Sequence, residues 1–97
     1  MPAYLIADIK KIHDRDLMHE YAMAVAPMME AAGAKRIGTS APVEVLEGSW
    51  DSRRVVIFEF SDMTALKSFY HSEAYKPLIA MRQKASDTTL AIIEGVD

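Results

Sequence analysis

The sequence predicts an α+β domain: one four-stranded antiparallel sheet with helices on a single face. Three observations predict it. The apolar pattern runs strand, helix, strand, strand, helix, strand. Residues 43–60 carry two runs of β-branched and aromatic residues around the polar turn Gly48-Ser49-Trp50-Asp51-Ser52, which is the pattern of a hairpin with a loop of several residues. And 97 residues without a cysteine can bury a single core with no disulfide or thiolate-bound metal to hold it.

The first strand is expected over 3–9, mostly apolar and then interrupted by Lys10-Lys11. Asp14 suits an N-cap and Asp16 the first helical turn, where the helix dipole favours negative charge. Leu17, Tyr21, Ala24, Met28 and Ala32 then recur at helical spacing, predicting a helix over 14–32 closed by Gly33. Pro27 removes a backbone donor within that run, so a kink is expected there, or a break near Ala26. A second extended segment begins at 35–38, is interrupted by Thr39-Ser40-Ala41-Pro42, and is expected to resume over 43–47.

The third strand, 54–60, places Arg54, Val56, Phe58 and Phe60 on one face and Val55, Ile57 and Glu59 on the other. Ser61-Asp62 can cap a second helix whose buried stripe is Ala65, Leu66, Phe69 and Tyr70, ending near His71. Ser72 offers a fresh N-cap for a further helical stretch with Tyr75, Leu78, Ile79 and Arg82 on one face, and the final strand is expected over 88–94. This order is the ferredoxin-like split βαβ arrangement, within a single domain spanning 1–97. Its second sheet face is also apolar. Leaving that face in water would forfeit about 1.5 to 3 kcal/mol per large side chain, so a homodimer joined through the open sheet face is expected.

Fourteen acidic against eleven basic residues, net charge -3, lack the basic footprint of a nucleic-acid binder. No apolar run approaches a membrane span, and the first eight residues lack the basic start of a signal peptide, so a cytoplasmic protein without membrane or nucleic-acid partners is expected. Phosphate-cradling glycine loops, nucleophile elbows and dinucleotide fingerprints are absent, and no cofactor is expected. His13 and His19 do not share a helical face as zinc-binding pairs do, and no metal site is expected.

Several segments together resemble the DUF1330 family: Val43-Glu-Val-Leu-Glu-Gly-Ser-Trp50, Arg54-Val-Val-Ile-Phe-Glu-Phe60, and Phe69-Tyr70-His71-Ser72-Glu73-Ala74-Tyr75, with Ala65 and Arg82. The likeness also takes in Ala3-Tyr4, Asp14 with Tyr21, and Ile93-Glu94-Gly95-Val96. It implies a dimeric α+β barrel, a ferredoxin-like protomer whose sheet pairs with a second copy, and a function unassigned for the family. Two departures stand out. Thr39-Ser40-Ala41 replaces an Arg-Gly-Gly found in many members, so an anion-binding role for that arginine does not transfer. His71 stands where an Asp is common between the Tyr and the Ser.

Glu59 is the first candidate for catalysis, because a carboxylate within an apolar strand must be paired or shifted in pKa if buried. The purely structural account pairs it with Lys35, Arg36, Arg53 or Arg54. His71 is a candidate proton carrier and Tyr70 a candidate donor, with a solvated loop histidine as the plainer account of His71. Ligand-binding candidates are Glu47, Trp50, Arg54, Tyr75 and Arg82. Trp50 is either a pocket wall or a residue packed under the hairpin. Arg82 either clamps a carboxylate or forms a surface salt bridge with Glu73 or Asp87.

Two functions fit this reading. One is a small-molecule-binding or stress-related module without chemistry. The other is a cofactor-free enzyme, monooxygenase- or isomerase-like, acting on a small organic substrate in a cleft between sheet and helices, with Glu59, Tyr70 and His71 near that cleft.

Overall fold

The computed structural model of the chain describes residues 1–38, 42–51 and 54–96. Thr39-Ser40-Ala41, and Ser52 and Arg53 as turn residue and proposed partner of Glu59, lie outside the described residues. In order the elements are β1 (Ala3–Ile12), α1 (Arg15–Ala31), β2 (Lys35–Ile37), β3 (Arg54–Phe60), α2 (Met63–Tyr70), α3 (Lys76–Ala85) and β4 (Ser86–Glu94). The strands form one antiparallel sheet in the order β2-β3-β1-β4, the expected α+β arrangement.

β1 is central because its alternation serves both faces: Ala3, Leu5 and Ile9 are buried, while Tyr4, Ile6 and Asp8 project to the opposite side. It runs three residues beyond the expected end, past an irregularity between Ile9 and Lys11 in its pairing with β4. The first helix starts as its sequence dictates, with the Asp14 carboxylate accepting from the Leu17 N–H at 3.0 Å. It does not break near Ala26. Pro27 lies inside the helix on an exposed position, where the carbonyl it leaves without a donor can be met by water. Gly33, at φ 78°, then takes the left-handed conformation that turns the chain into β2.

Among the described residues the expected hairpin does not form. β2 pairs with β3 only through Lys35, Arg36 and Ile37, and the edge touches β3 once more at Pro42 opposite Arg54. Residues 43–51 form no strand and are mostly exposed, with Leu46 88 % and Val45 41 % accessible. In the antiparallel register Pro42 already stands opposite Arg54, the first residue of β3, so residues 43–47 run past the end of that strand.

After β3, the Asp62 carboxylate accepts from the Ala65 N–H at 2.8 Å and opens α2, which buries Leu66 and Phe69. Ser72 caps a tight turn rather than α3: its Oγ donates to the Phe69 carbonyl at 2.8 Å and accepts from the Tyr75 N–H at 3.3 Å. α3 begins only at Lys76, with Pro77 in the first turn, where its missing N–H goes unneeded. That turn drives Tyr75 into the core, where its ring centroid lies 4.6 Å from that of Phe69, and Phe69 lies 5.8 Å from Phe60.

All helices therefore load one face of the sheet. The other carries Ile6, Val55, Ile57, Ile37 and Ile93 by register, and Ile37 and Ile93 are 41 % and 56 % accessible.

Candidate functional site

α1 packs against α3 and stands away from the sheet. The space between them is left unfilled in part because Ala22 and Ala26 on α1 and Ala7 on β1, which line it, have only methyl side chains. What remains is a cleft of about 410 Å³ walled chiefly by apolar side chains, among them Leu5, Ile9, Val25, Met29, Val56, Phe58 and Leu90.

One end of the cleft is polar. Arg82, projecting from α3, is only 5 % accessible and donates through Nη1 to the Tyr75 hydroxyl at 2.9 Å. That hydroxyl lies 2.7 Å from the hydroxyl of Tyr21 on α1. The Arg82 guanidinium carbon sits 6.0 Å from the centre of the Tyr21 ring, at the outer range of a cation–π contact. Below it, the Ser86 hydroxyl shares a 2.7 Å hydrogen bond with the hydroxyl of Thr88, which also lines the cleft. The Tyr75 hydroxyl is pushed well above the usual tyrosine range, first by burial and then by its Tyr21 neighbour; the Arg82 charge pulls the other way without offsetting them. At neutral pH Tyr75 is a protonated hydrogen-bonding group, not a base. A pair of hydroxyls shares one proton, so a second O–H proton of the Tyr21–Tyr75 pair is left to offer to a ligand.

The candidates separate into three places. Arg54, Tyr75 and Arg82 line the main cleft. Tyr70 and His71 line a second, smaller cavity of about 260 Å³ at the end of α2, with Lys67, Leu66 and Ile92. There His71 is exposed and meets the Tyr70 ring edge-on, with centroids 5.2 Å apart. Glu59 belongs to neither. It stands opposite Tyr4 and Lys35 on the open face, so the expected convergence of Glu59, Tyr70 and His71 on one cleft does not occur. Strand alternation is the reason, because turning Phe58 and Phe60 inward turns Glu59 outward.

Glu47 is exposed in the bend around Gly48 and lines neither cavity. Trp50 is 51 % accessible rather than packed under a hairpin, and its indole N–H donates to the carboxylate of Asp8 at 3.1 Å. The salt bridge considered for Arg82 does not form: Glu73 pairs instead with Lys76 at 2.7 Å. Tyr21 is the site residue that sequence reasoning missed. Its signal was present, since a tyrosine on the buried stripe of a helix must find a partner for its hydroxyl. Among the described residues no three His, Cys, Asp or Glu side chains gather as a metal site, and no helix is long and apolar enough to cross a membrane.

Fold and site together define a ferredoxin-like α+β domain with an apolar cleft under its helices, closed at one end by an arginine and two tyrosines. The chain belongs to the family described as Domain of unknown function (DUF1330), which matches residues 2–96. No curated protein matches it in sequence. Among solved structures, a protein of unknown function from Rhodopseudomonas palustris is similar at TM-score 0.74 and 18 % identity, over 99 % of this chain and 83 % of that one. A dimeric ferredoxin-like protein of unknown function from Jannaschia sp. CCS1 is similar at TM-score 0.66 and 11 % identity, covering 98 % of this chain and 100 % of that one. A mutant of SnoaB, a cofactor-independent oxygenase from Streptomyces nogalater, is similar at TM-score 0.62 and 11 % identity, over 99 % and 94 % of the two chains. At such identities the likeness is one of fold.

Proposed function

We propose that this protein is a homodimeric small-molecule-binding module whose ligand occupies the cleft between α1 and the sheet. The observation that carries the reading is the cleft itself: about 410 Å³, apolar along its walls and hydrogen-bonding at one end, which is the make-up of ligand sites generally. The dimer draws support from the apolar strip on the open sheet face and from similar structures described as dimeric.

Cofactor-free catalysis draws support only from the fold shared with the oxygenase, and chemistry resides in sites rather than folds. The cleft supplies hydrogen-bond donors, and burial keeps its most enclosed tyrosine from acting as a base. Binding without chemistry is therefore the better-supported function.

Titration with the neutral fluorescent dye N-phenyl-1-naphthylamine tests the cleft. Wild-type protein should bind the dye, and Ala22→Trp, which fills the cleft from an exposed helix position, should weaken binding at least about tenfold without loss of the folded state. Absence of binding, or indifference to Ala22→Trp, would refute the reading.

A further inference from the structure

On the reading that the cleft binds a small molecule, the geometry points to the class of that molecule: an apolar monocarboxylate whose carboxylate meets the Arg82 guanidinium at Nη2. Arg82 is nineteen-twentieths buried, and of its three nitrogens only Nη1 has a protein partner, the Tyr75 hydroxyl at 2.9 Å. Nε is enclosed and unmatched. Among the described residues no carboxylate pairs with this guanidinium. A buried charge without a counter-ion is costly, and buried charges in folded proteins are paired. With Nη1 engaged and Nε enclosed, the guanidinium is left with Nη2 to donate to a carboxylate in a charge-assisted hydrogen bond.

Three further features agree. The O–H proton left over from the Tyr21–Tyr75 pair lies beside the same guanidinium and can be donated to the same carboxylate. Arg36 also lines the cleft, so with Arg82 two cations stand against the single acidic lining residue, Glu30, and the field favours an anion. The remaining wall is apolar, which suits an aromatic or aliphatic body and disfavours a multiply charged phosphate or polycarboxylate.

The test uses the full chain and two compounds of matched shape, 2-naphthoate and 2-naphthamide, measured by calorimetry at pH 7 beside the dye titration. The carboxylate should bind at least about tenfold more tightly than the amide, as a charge-assisted contact with a buried guanidinium requires. Arg82→Met should abolish that preference while still binding the neutral dye, and Arg82→Lys, which keeps the charge on a compact ammonium but loses the guanidinium's reach and planarity, should restore it only in part. Equal affinities for acid and amide, or no binding of the acid by protein that binds the dye, would overturn the carboxylate assignment and leave the cleft reading intact. Failure of the dye to bind would strike the cleft reading instead. Because the comparison of acid with amide is decisive in wild-type protein, it stands even if Arg82→Met does not fold.

Discussion

Tyr75→Phe isolates the polar end of the cleft from the packing around it. The ring is 1 % accessible and stacks beside Phe69 with centroids 4.6 Å apart, and phenylalanine keeps those contacts. What is lost is one hydroxyl holding two hydrogen bonds, from Arg82 at 2.9 Å and with Tyr21 at 2.7 Å. A hydrogen bond to a charged group contributes about 1.5 to 3 kcal/mol and a neutral one about 0.5 to 1.5 kcal/mol. The substitution should therefore cost about 2 to 4 kcal/mol. For a domain of this length each kcal/mol lowers Tm by about 4 to 8 °C, so a fall of at least about 8 °C is expected.

Urea denaturation followed by circular dichroism, at one fixed protein concentration, gives the measurement. A double-mutant cycle with Tyr21→Phe sharpens it. Alone, Tyr21→Phe should cost about 0.5 to 1.5 kcal/mol; in the Tyr75→Phe background it should cost almost nothing, because the shared bond is already gone. A loss below about 0.5 kcal/mol for Tyr75→Phe, or strictly additive single costs, would refute the assignment of these bonds.

Three other outcomes are expected. In alkali, unfolded Tyr75 ionises near its ordinary 10.0 while the folded hydroxyl, pushed higher mainly by burial, stays protonated. The unfolded state then binds fewer protons, so this residue's contribution to stability falls by about 1.4 kcal/mol per pH unit above about pH 10. The stability gap between wild type and Tyr75→Phe should narrow there, and a gap that widens would contradict the burial of the hydroxyl. Ile57→Glu, placing a charge in the middle of the open face, should convert a dimer to a monomer by light scattering at micromolar concentration, whereas a wild-type protein that is itself monomeric would remove the basis for the dimer. Glu59→Gln and His71→Ala, both outside the main cleft, should each leave dye affinity within about twofold of wild type; a tenfold loss in either would mean that the cleft extends beyond the residues lining it here.

Local chemistry was legible in the sequence wherever one residue decides the outcome. Asp14 and Asp62 announce helix starts because a short acceptor before an amphipathic run has one good use, and both cap as expected. That the strands form one antiparallel sheet followed from the order of strand and helix segments along the chain, read as a ferredoxin-like arrangement. The hairpin failed because alternation over 43–47 shows only that a segment could pair, while β3 begins at Arg54, opposite Pro42, and offers the following residues no partner. Glu59 misled for a related reason: its strand is apolar on both faces, and sequence alone could not say which face the helices would cover. Tyr21 was hidden because a residue that fits a helical stripe gives no sign that its far end meets Tyr75, fifty-four positions away. Arg82 was visible as a possible clamp, but its lack of a carboxylate partner is a fact of tertiary structure.

The sheet has two faces of different make-up, and β1 shows how little sequence separates them. Leu5, Ala7 and Ile9 line the cleft, while Tyr4, Ile6 and Asp8 face the other way, where Asp8 holds Trp50. Neighbouring residues along one strand therefore belong to different surfaces, and a substitution on one reaches the other only through the backbone. All the polar groups that the ligand reading needs, Arg82, Tyr75, Tyr21 and Thr88, come from α1, the turn before α3, α3 itself and β4 of a single protomer. An Ile57→Glu protein reduced to a monomer should consequently keep its preference for 2-naphthoate over 2-naphthamide. Should monomers lose that preference while remaining folded, the cleft would depend on the second copy, and the separation of the two faces argued from strand alternation would be wrong.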